Sequence, residues 1–142
     1  MQSRTEVLTS VLKTVQMGQV GIRAVMNYAI RPELKKSLES QLKEYDTFEQ
    51  EAYSIASSRG WEIKELDSMA KTMAKAYAKT RLGFDYTDSK IAQMMILGNT
   101  NGMIKTLVSK HHCDTNDPKV KLLVQKLLDC ENANIKQMQG YV

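Results

Sequence analysis

Residues 8–55 read LTSVLKTVQMGQVGIRAVMNYAIRPELKKSLESQLKEYDTFEQEAYSI, and the spacing of their apolar side chains decides the fold. Leu8, Leu12, Val15, Gln19, Ile22, Met26 and Ala29 follow alternating steps of four and three residues. Leu34, Leu38, Gln41, Tyr45, Phe48, Ala52 and Ile55 repeat the pattern. Such steps put one side-chain row on one face of an α-helix. A reversal at Arg31-Pro32 makes the two helices antiparallel and brings Gln19 level with Gln41. An amide on a buried seam costs stability unless it is hydrogen-bonded. Two meeting at mid-height predict a polar layer, the place where helical bundles build metal and cofactor sites.

The rest of the chain extends the helical reading. Its 142 residues suit one domain with a hydrophobic core, spanning 1–142. Only 7 Gly and 2 Pro interrupt a sequence rich in Ala, Leu, Lys, Gln, Met and Glu. Strand-type alternation is missing, so the expected class is all-α. A net charge of +4 is too diffuse for a dedicated nucleic-acid binder, so a nucleic-acid partner is not the expectation, and weak association through the third-helix lysines Lys64, Lys71, Lys75 and Lys79 stands as an alternative. Two cysteines, no apolar leader after Met1 and no membrane-length apolar run point to a reduced, cytoplasmic protein with no membrane insertion.

Local signals set the boundaries. Ser3 to Glu6 fits a capping box for a first helix reaching about Ile30. Pro32 suits the opening turn of the second, and Gly60 its C-terminal cap. A third helix is predicted from Trp61 to about Leu82, with Leu66, Met69, Met73, Ala76 and Tyr77 as its apolar residues. Gly83 to Tyr86 breaks the pattern, and Thr87 or Asp88 caps a fourth helix through about Lys110. After a polar loop from His111 to Asn116, Asp117 caps a last helix. Val120, Val124, Leu127, Glu131, Asn134 and Met138 form its seam.

Glu131 is the most pointed residue, because a carboxylate on a seam needs a cation, a metal or strong donors. Gln41 and Glu44 stand three residues apart, as do Glu131 and Asn134. In helix order and length, and in these four positions, the chain resembles the ferritin-like bundles. In that family two helices each give a Glu and the other two each give Glu-x-x-His. Here the corresponding places read Gln41-Leu42-Lys43-Glu44 and Glu131-Asn132-Ala133-Asn134. Gln19 or Gln16 stands at the first lone-Glu place, and Gly98-Asn99 at the second. The resemblance implies a four-helix bundle with a helical crossover or fifth helix. It also implies that amides have replaced most metal ligands, since neutral amides hold paired divalent cations poorly. Glu44 and Glu131 are the remaining metal candidates, and a structural reading of the polar layer is preferred over a ligand role. No resident cofactor is expected.

Other features are weaker. His111, His112, Cys113 and Asp114 are all possible ligands, but neighbours in a chain rarely converge on one ion and no second cluster completes a set. Gly98 and Gly102 flank Asn99 and Asn101, where a helix interruption or room for a small ligand is expected. Met69, Met73, Met94, Met95 and Met103 read as core filling. No phosphate loop, nucleophile elbow or triad appears, so an enzyme is not expected. The expectation is a non-catalytic structural or interaction protein forming a homodimer or higher homo-oligomer. Val7, Val11, Val20 and Val25, off the first seam, would need cover from the third helix or from a partner. By analogy with the resembled family, a bacterial stress or spore-coat role is implied.

Overall fold

In a computed structural model the described residues are 2–83, 86–112 and 116–142; of these, the side chains of residues 2–4 and 112 are left aside. They form five α-helices and no strand: α1 (Gln2–Val25), α2 (Pro32–Arg59), α3 (Ser68–Leu82), α4 (Asp88–His112) and α5 (Pro118–Gln139). The all-α expectation therefore holds. None of these helices is long and apolar enough to cross a membrane. Helix α1 packs on α2, α4 and α3, and α5 packs on α4 and α2. Leu8, Leu12, Ile22, Leu34, Leu38, Leu123, Leu127 and Met138 are fully buried between them. The seams read from the sequence thus face one common core.

Polar clamps at the two ends fix how the helical hairpins sit. At one end Asp88 accepts from the backbone N–H of Ile30 at 2.8 Å and of Arg31 at 3.0 Å. The start of α4 is thereby held against the α1–α2 turn, where Tyr28 and Tyr86 also stack at 4.5 Å between centroids. At the other end Arg59 donates to both oxygens of Asp117, at 2.6 and 3.1 Å. Asp117 also accepts from Lys119 N and so caps α5. The Arg59 guanidinium holds its carboxyl below the usual carboxylate range. The carboxylate thus joins the end of α2 to the start of α5.

Several boundaries differ from the sequence reading. Helix α1 stops at Val25, and a single 3₁₀ turn, Met26–Tyr28, precedes the reversal. Ser3 lies inside α1, which begins at Gln2. Residues 61–67 are not helical. The third helix starts only at Ser68, because the Asp67 side chain caps it by accepting from Ala70 N at 2.7 Å. Helix α4 runs unbroken through Gly98–Gly102 and takes in His111 and His112. Thr87 caps it, accepting from Lys90 N at 3.2 Å. Gly60 does close α2 with φ of +67°, a left-handed conformation that suits glycine.

Of the α1 valines that need cover, Val7, Val11 and Val25 are buried and Val20 half-buried within the chain itself, so the cover comes from the chain's own helices and the buried three offer no face to a second copy. On α3 the inward residues are Ala78 and Leu82, with Ala70 and Ala74 half-buried. Met69 and Met73 are 74% and 66% exposed, and Tyr77 is exposed as well, so this row is not core filling. Small alanines face α1 because the helix lies close over it, and the bulky row is turned to solvent.

Candidate functional site

The site begins with a glycine. Gly18 on α1 faces Tyr45 on α2 so closely that a Cβ there would lie 2.7 Å from the ring. The missing side chain lets the Tyr45 ring lie on the α1 backbone and reach the bundle centre. This contact also sets the register. Gln19 donates to Asp46 at 2.9 Å, and Gln16 to Glu49 at 3.0 Å. Gln19 is therefore not level with Gln41, which lies about one helical turn away and donates to Gln137 of α5 at 3.0 Å. The 3₁₀ turn and extended residues after Val25 lengthen the connection and move the register by about that turn.

Gln16 and Gln19 form one polar group, and it is structural. Gln16 Nε2 also contacts the Tyr53 hydroxyl at 3.4 Å, while its Oε1 accepts from Leu66 N at 2.7 Å. Tyr53 in turn donates to Glu65. Together with the Thr9 hydroxyl, which accepts from Lys64 N at 3.5 Å, these bonds fasten the extended 61–67 segment along α1. The backbone of a non-helical segment needs such partners.

The second polar group lies at the centre. The Tyr45 hydroxyl is 2.8 Å from Asn99 Oδ1 of α4 and 3.0 Å from Glu131 Oε1 of α5. Tyr45 has one proton to donate and two acceptors to serve. A Glu131 carboxyl that keeps its proton fills the gap, and its surroundings favour that form. Burial, with a further push from the Glu44 charge, raises its carboxyl to about 8 against a pull downward from the Tyr45 hydrogen bond. Burial, and then the proximity of Glu131, hold Tyr45 well above the usual phenol range. Asn99, one of the helix-weakening residues of α4, is thus explained by its buried bond.

The remaining predicted residues divide. Asn134 is buried and reaches Cys130 Sγ at 3.6 Å. Cys130 donates to Glu44 Oε2 at 3.0 Å, and burial pushes its thiol up. Glu44 itself is exposed, one position round the helix from Tyr45, so it lies outside the core layer. Among the described residues no group of three or more His, Cys, Asp or Glu side chains is gathered to hold a metal ion. His111 is exposed at the end of α4, and Cys113 and Asp114 fall outside the described residues. The layer therefore gathers Gln41, Asn99, Glu131 and Asn134, adds Tyr45 and Thr14, and leaves out Gln19 and Glu44. Its spacing places Tyr45 among the apolar seam residues, and the available signal is a phenol on one seam with a carboxylate, Glu131, on another.

Beside this layer is a cavity of about 550 Å³. Buried Thr14, Gln41, Tyr45, Asn99 and Glu131 form its polar floor, and exposed Met73, Tyr77, Arg81, Leu97 and Lys105 its rim. Gly18, Gly21, Gly98 and Gly102 also line it, so the space exists partly because four side chains are missing. Among the described residues three buried side-chain atoms, Thr14 Oγ1, Gln41 Oε1 and Glu131 Oε2, have no hydrogen-bond partner. A Cβ at Gly102 would lie 3.1 Å from Thr14 Cγ2 and 3.4 Å from Glu131 Oε1. No family model, curated protein or solved structure matches this chain.

Proposed function

We propose that the chain is a non-catalytic ferritin-like protein that holds a small, largely apolar molecule in the cavity between α1, α3 and α4. Support for the ferritin-like arrangement is topological. Two antiparallel hairpins, α1–α2 and α4–α5, are joined by a segment that returns along the bundle, so α2 and α4 run the same way. At mid-height, where that family gathers metal ligands, amides, a phenol and one neutral acid stand instead. The observation that carries the binding reading is the cavity itself. Its volume is in the range of small-molecule pockets, and its walls are mostly apolar with a few polar residues among them.

The test uses a neutral probe, 4-phenylbutan-1-ol. A ligand that binds only the folded state raises the melting temperature, with about 2.7 kcal/mol of stabilisation at a hundredfold excess over Kd. The expected result is a rise of several degrees for the natural chain and none for Gly21→Leu. A Cβ at Gly21 meets only Met95 Cε, at 4.0 Å, so the backbone there has room for a side chain, and the leucine is expected to take up cavity space. It also replaces a helical glycine, which adds about 0.5–1 kcal/mol of helix propensity. No rise with the natural chain would defeat the reading.

A second reading, self-association into a homodimer or larger homo-oligomer, is favoured by a different observation. Met69, Met73 and Tyr77 make an exposed apolar row on α3, and Leu97 and Ile104 are exposed on α4. This face replaces the buried valines of α1 as the surface through which two copies would meet.

A further inference from the structure

We infer that the cavity takes a single hydrocarbon chain with an acidic head group, the hydrocarbon lying along the cleft between α3 and α4 and the head at its Lys105 end. This inference rests on the binding reading above and names the ligand class of the same site. Shape is the first observation. The lining residues run from Ala70 to Arg81 on α3 and from Met94 to Lys105 on α4. Each stretch is about 17 Å long at the 1.5 Å rise of a helix. Residues 83–87 join the two helices, a connection short enough to make them antiparallel, with Ala70 towards Lys105 and Arg81 towards Met94. A volume of about 550 Å³ spread over about 17 Å gives a channel about 6 Å across on average. A helix with its side chains is about 10–12 Å across, so the channel suits one extended chain and not a docked helix. Polarity changes along its length. On α1, Gly21 faces Met95 and Thr14 faces Gly102. The Arg81 end is therefore walled by Ile22, Met94 and Met95, and the Lys105 end by Thr14 and Asn101.

Charge selects the head. Both cations of the lining, Arg81 and Lys105, are exposed, and among the described residues neither is paired with an acid. Helix α3 carries Lys71, Lys75, Lys79 and Arg81 and no acid. Helix α4 carries Lys90, Lys105 and Lys110 and one acid, Asp88, which is engaged by the backbone of Ile30 and Arg31. Both walls thus set positive charge around the mouth, and such a field gathers anions. Glu131 is buried on the floor, where burial raises its carboxyl to about 8, so at pH 7 it keeps its proton and does not repel an anionic head. A neutral head gains nothing from this field, and a cationic head is repelled. Lys105 takes the head because it stands at the polar end. The opposite direction would lay hydrocarbon against Thr14 and Asn101 and bring a charged head to Ile22, Met94 and Met95.

The experiment titrates decanoate, decan-1-ol and decylamine, each below its aggregation limit, into the full-length protein at pH 7 by calorimetry. An exposed ion pair is worth up to about fivefold in affinity, so decanoate is expected to bind about threefold to fivefold more tightly than decan-1-ol at low salt, with decylamine weakest. The advantage should fade as salt is raised. Lys105→Ala should bring decanoate down to the affinity of the alcohol, and Arg81→Ala should leave decanoate ahead. Both side chains are exposed, and circular dichroism establishes that the variants are folded. Gly21→Leu should weaken all three compounds, which ties binding to the cavity. Sedimentation with phosphatidylglycerol vesicles, which offer an anionic head but no free single chain, should leave the protein in the supernatant. An alcohol that matches decanoate, or decanoate indifferent to Lys105→Ala, would overturn the inference and leave the apolar cavity reading standing. A loss in Arg81→Ala instead would overturn the placing of the head. Sedimentation with the vesicles without binding of free decanoate would make a lipid surface the partner and overturn the single-chain ligand. If none of the three compounds binds, the inference and the cavity reading both fall.

Discussion

At the scale of single residues, Glu131 makes stability depend on pH in an unusual direction. Its carboxyl titrates near 8 in the folded chain and near the ordinary 4.5 when unfolded. Between those values the folded state holds a proton that the unfolded state has lost. Stability is full below about pH 4.5 as far as this group is concerned. It falls by up to about 1.4 kcal/mol per pH unit as pH rises, and levels off above 8. Glu131→Gln keeps the shape and removes the titration. The variant is expected to melt near the natural chain at pH 5 and clearly above it at pH 9, as thermal denaturation across that range would show. A variant whose melting temperature tracks the natural chain at every pH would mean that Glu131 does not hold this proton. Gly18→Ala tests the neighbouring contact. Its methyl group meets the Tyr45 ring at 2.7 Å, so overpacking should cost about 1–3 kcal/mol in denaturant unfolding, although alanine favours the helix. The sequence made Glu131, Gln41, Asn99 and Asn134 visible as polar residues on or beside apolar seams. It did not show Tyr45 as the partner of Asn99 and Glu131, because which residues meet depends on a register set by the Gly18–Tyr45 contact and the connection after Val25.

At the scale of elements, the long helices were legible and the crossover was not. The seams of α2 and α5 repeat over about six and five turns, so a slip of a few residues at either end leaves the pattern intact. Residues 61–82 offered a shorter and ambiguous pattern. Met69, Met73 and Tyr77 share a face and look like a core stripe, yet alanines hold the inward side. Hydrophobicity alone does not tell a small-residue packing face from a bulky exposed one. The decisive signal was Asp67, an N-cap residue in the middle of what reads as one helix. Asp67→Ala leaves Ala70 N without its side-chain partner and is expected to destabilise α3 by about 1 kcal/mol. Since α3 lines the cavity and carries few buried side chains, the loss should appear first as faster amide hydrogen exchange in residues 68–82, with α2 and α5 unchanged. Uniform acceleration along the chain would instead mean that α3 opens only with the whole molecule.

At the scale of the whole molecule, the exposed row on α3 and the mouth of the cavity are the same place. Met73 and Tyr77 belong to both, and Leu97 of α4 lies on the opposite rim. Two copies meeting through this face would cover the mouth, so association and ligand binding become linked. Linkage is reciprocal: a ligand that binds more tightly in the closed pair tightens the pair by the same factor. The double variant Met69→Lys, Met73→Lys puts two more charges on a row already bordered by Lys71 and Lys75, and so opposes apposition of two such faces. Light scattering at increasing concentration is expected to show the natural chain passing from the 16.1 kDa monomer to a dimer while the double variant stays monomeric. Saturating 4-phenylbutan-1-ol should then move the natural chain's midpoint to lower concentration and leave the variant unmoved. A natural chain that remains monomeric throughout would remove the self-association reading and keep the cavity as an open, single-chain site. A dimer that survives both lysines would place the contact elsewhere, with the mouth free and the ligand indifferent to protein concentration.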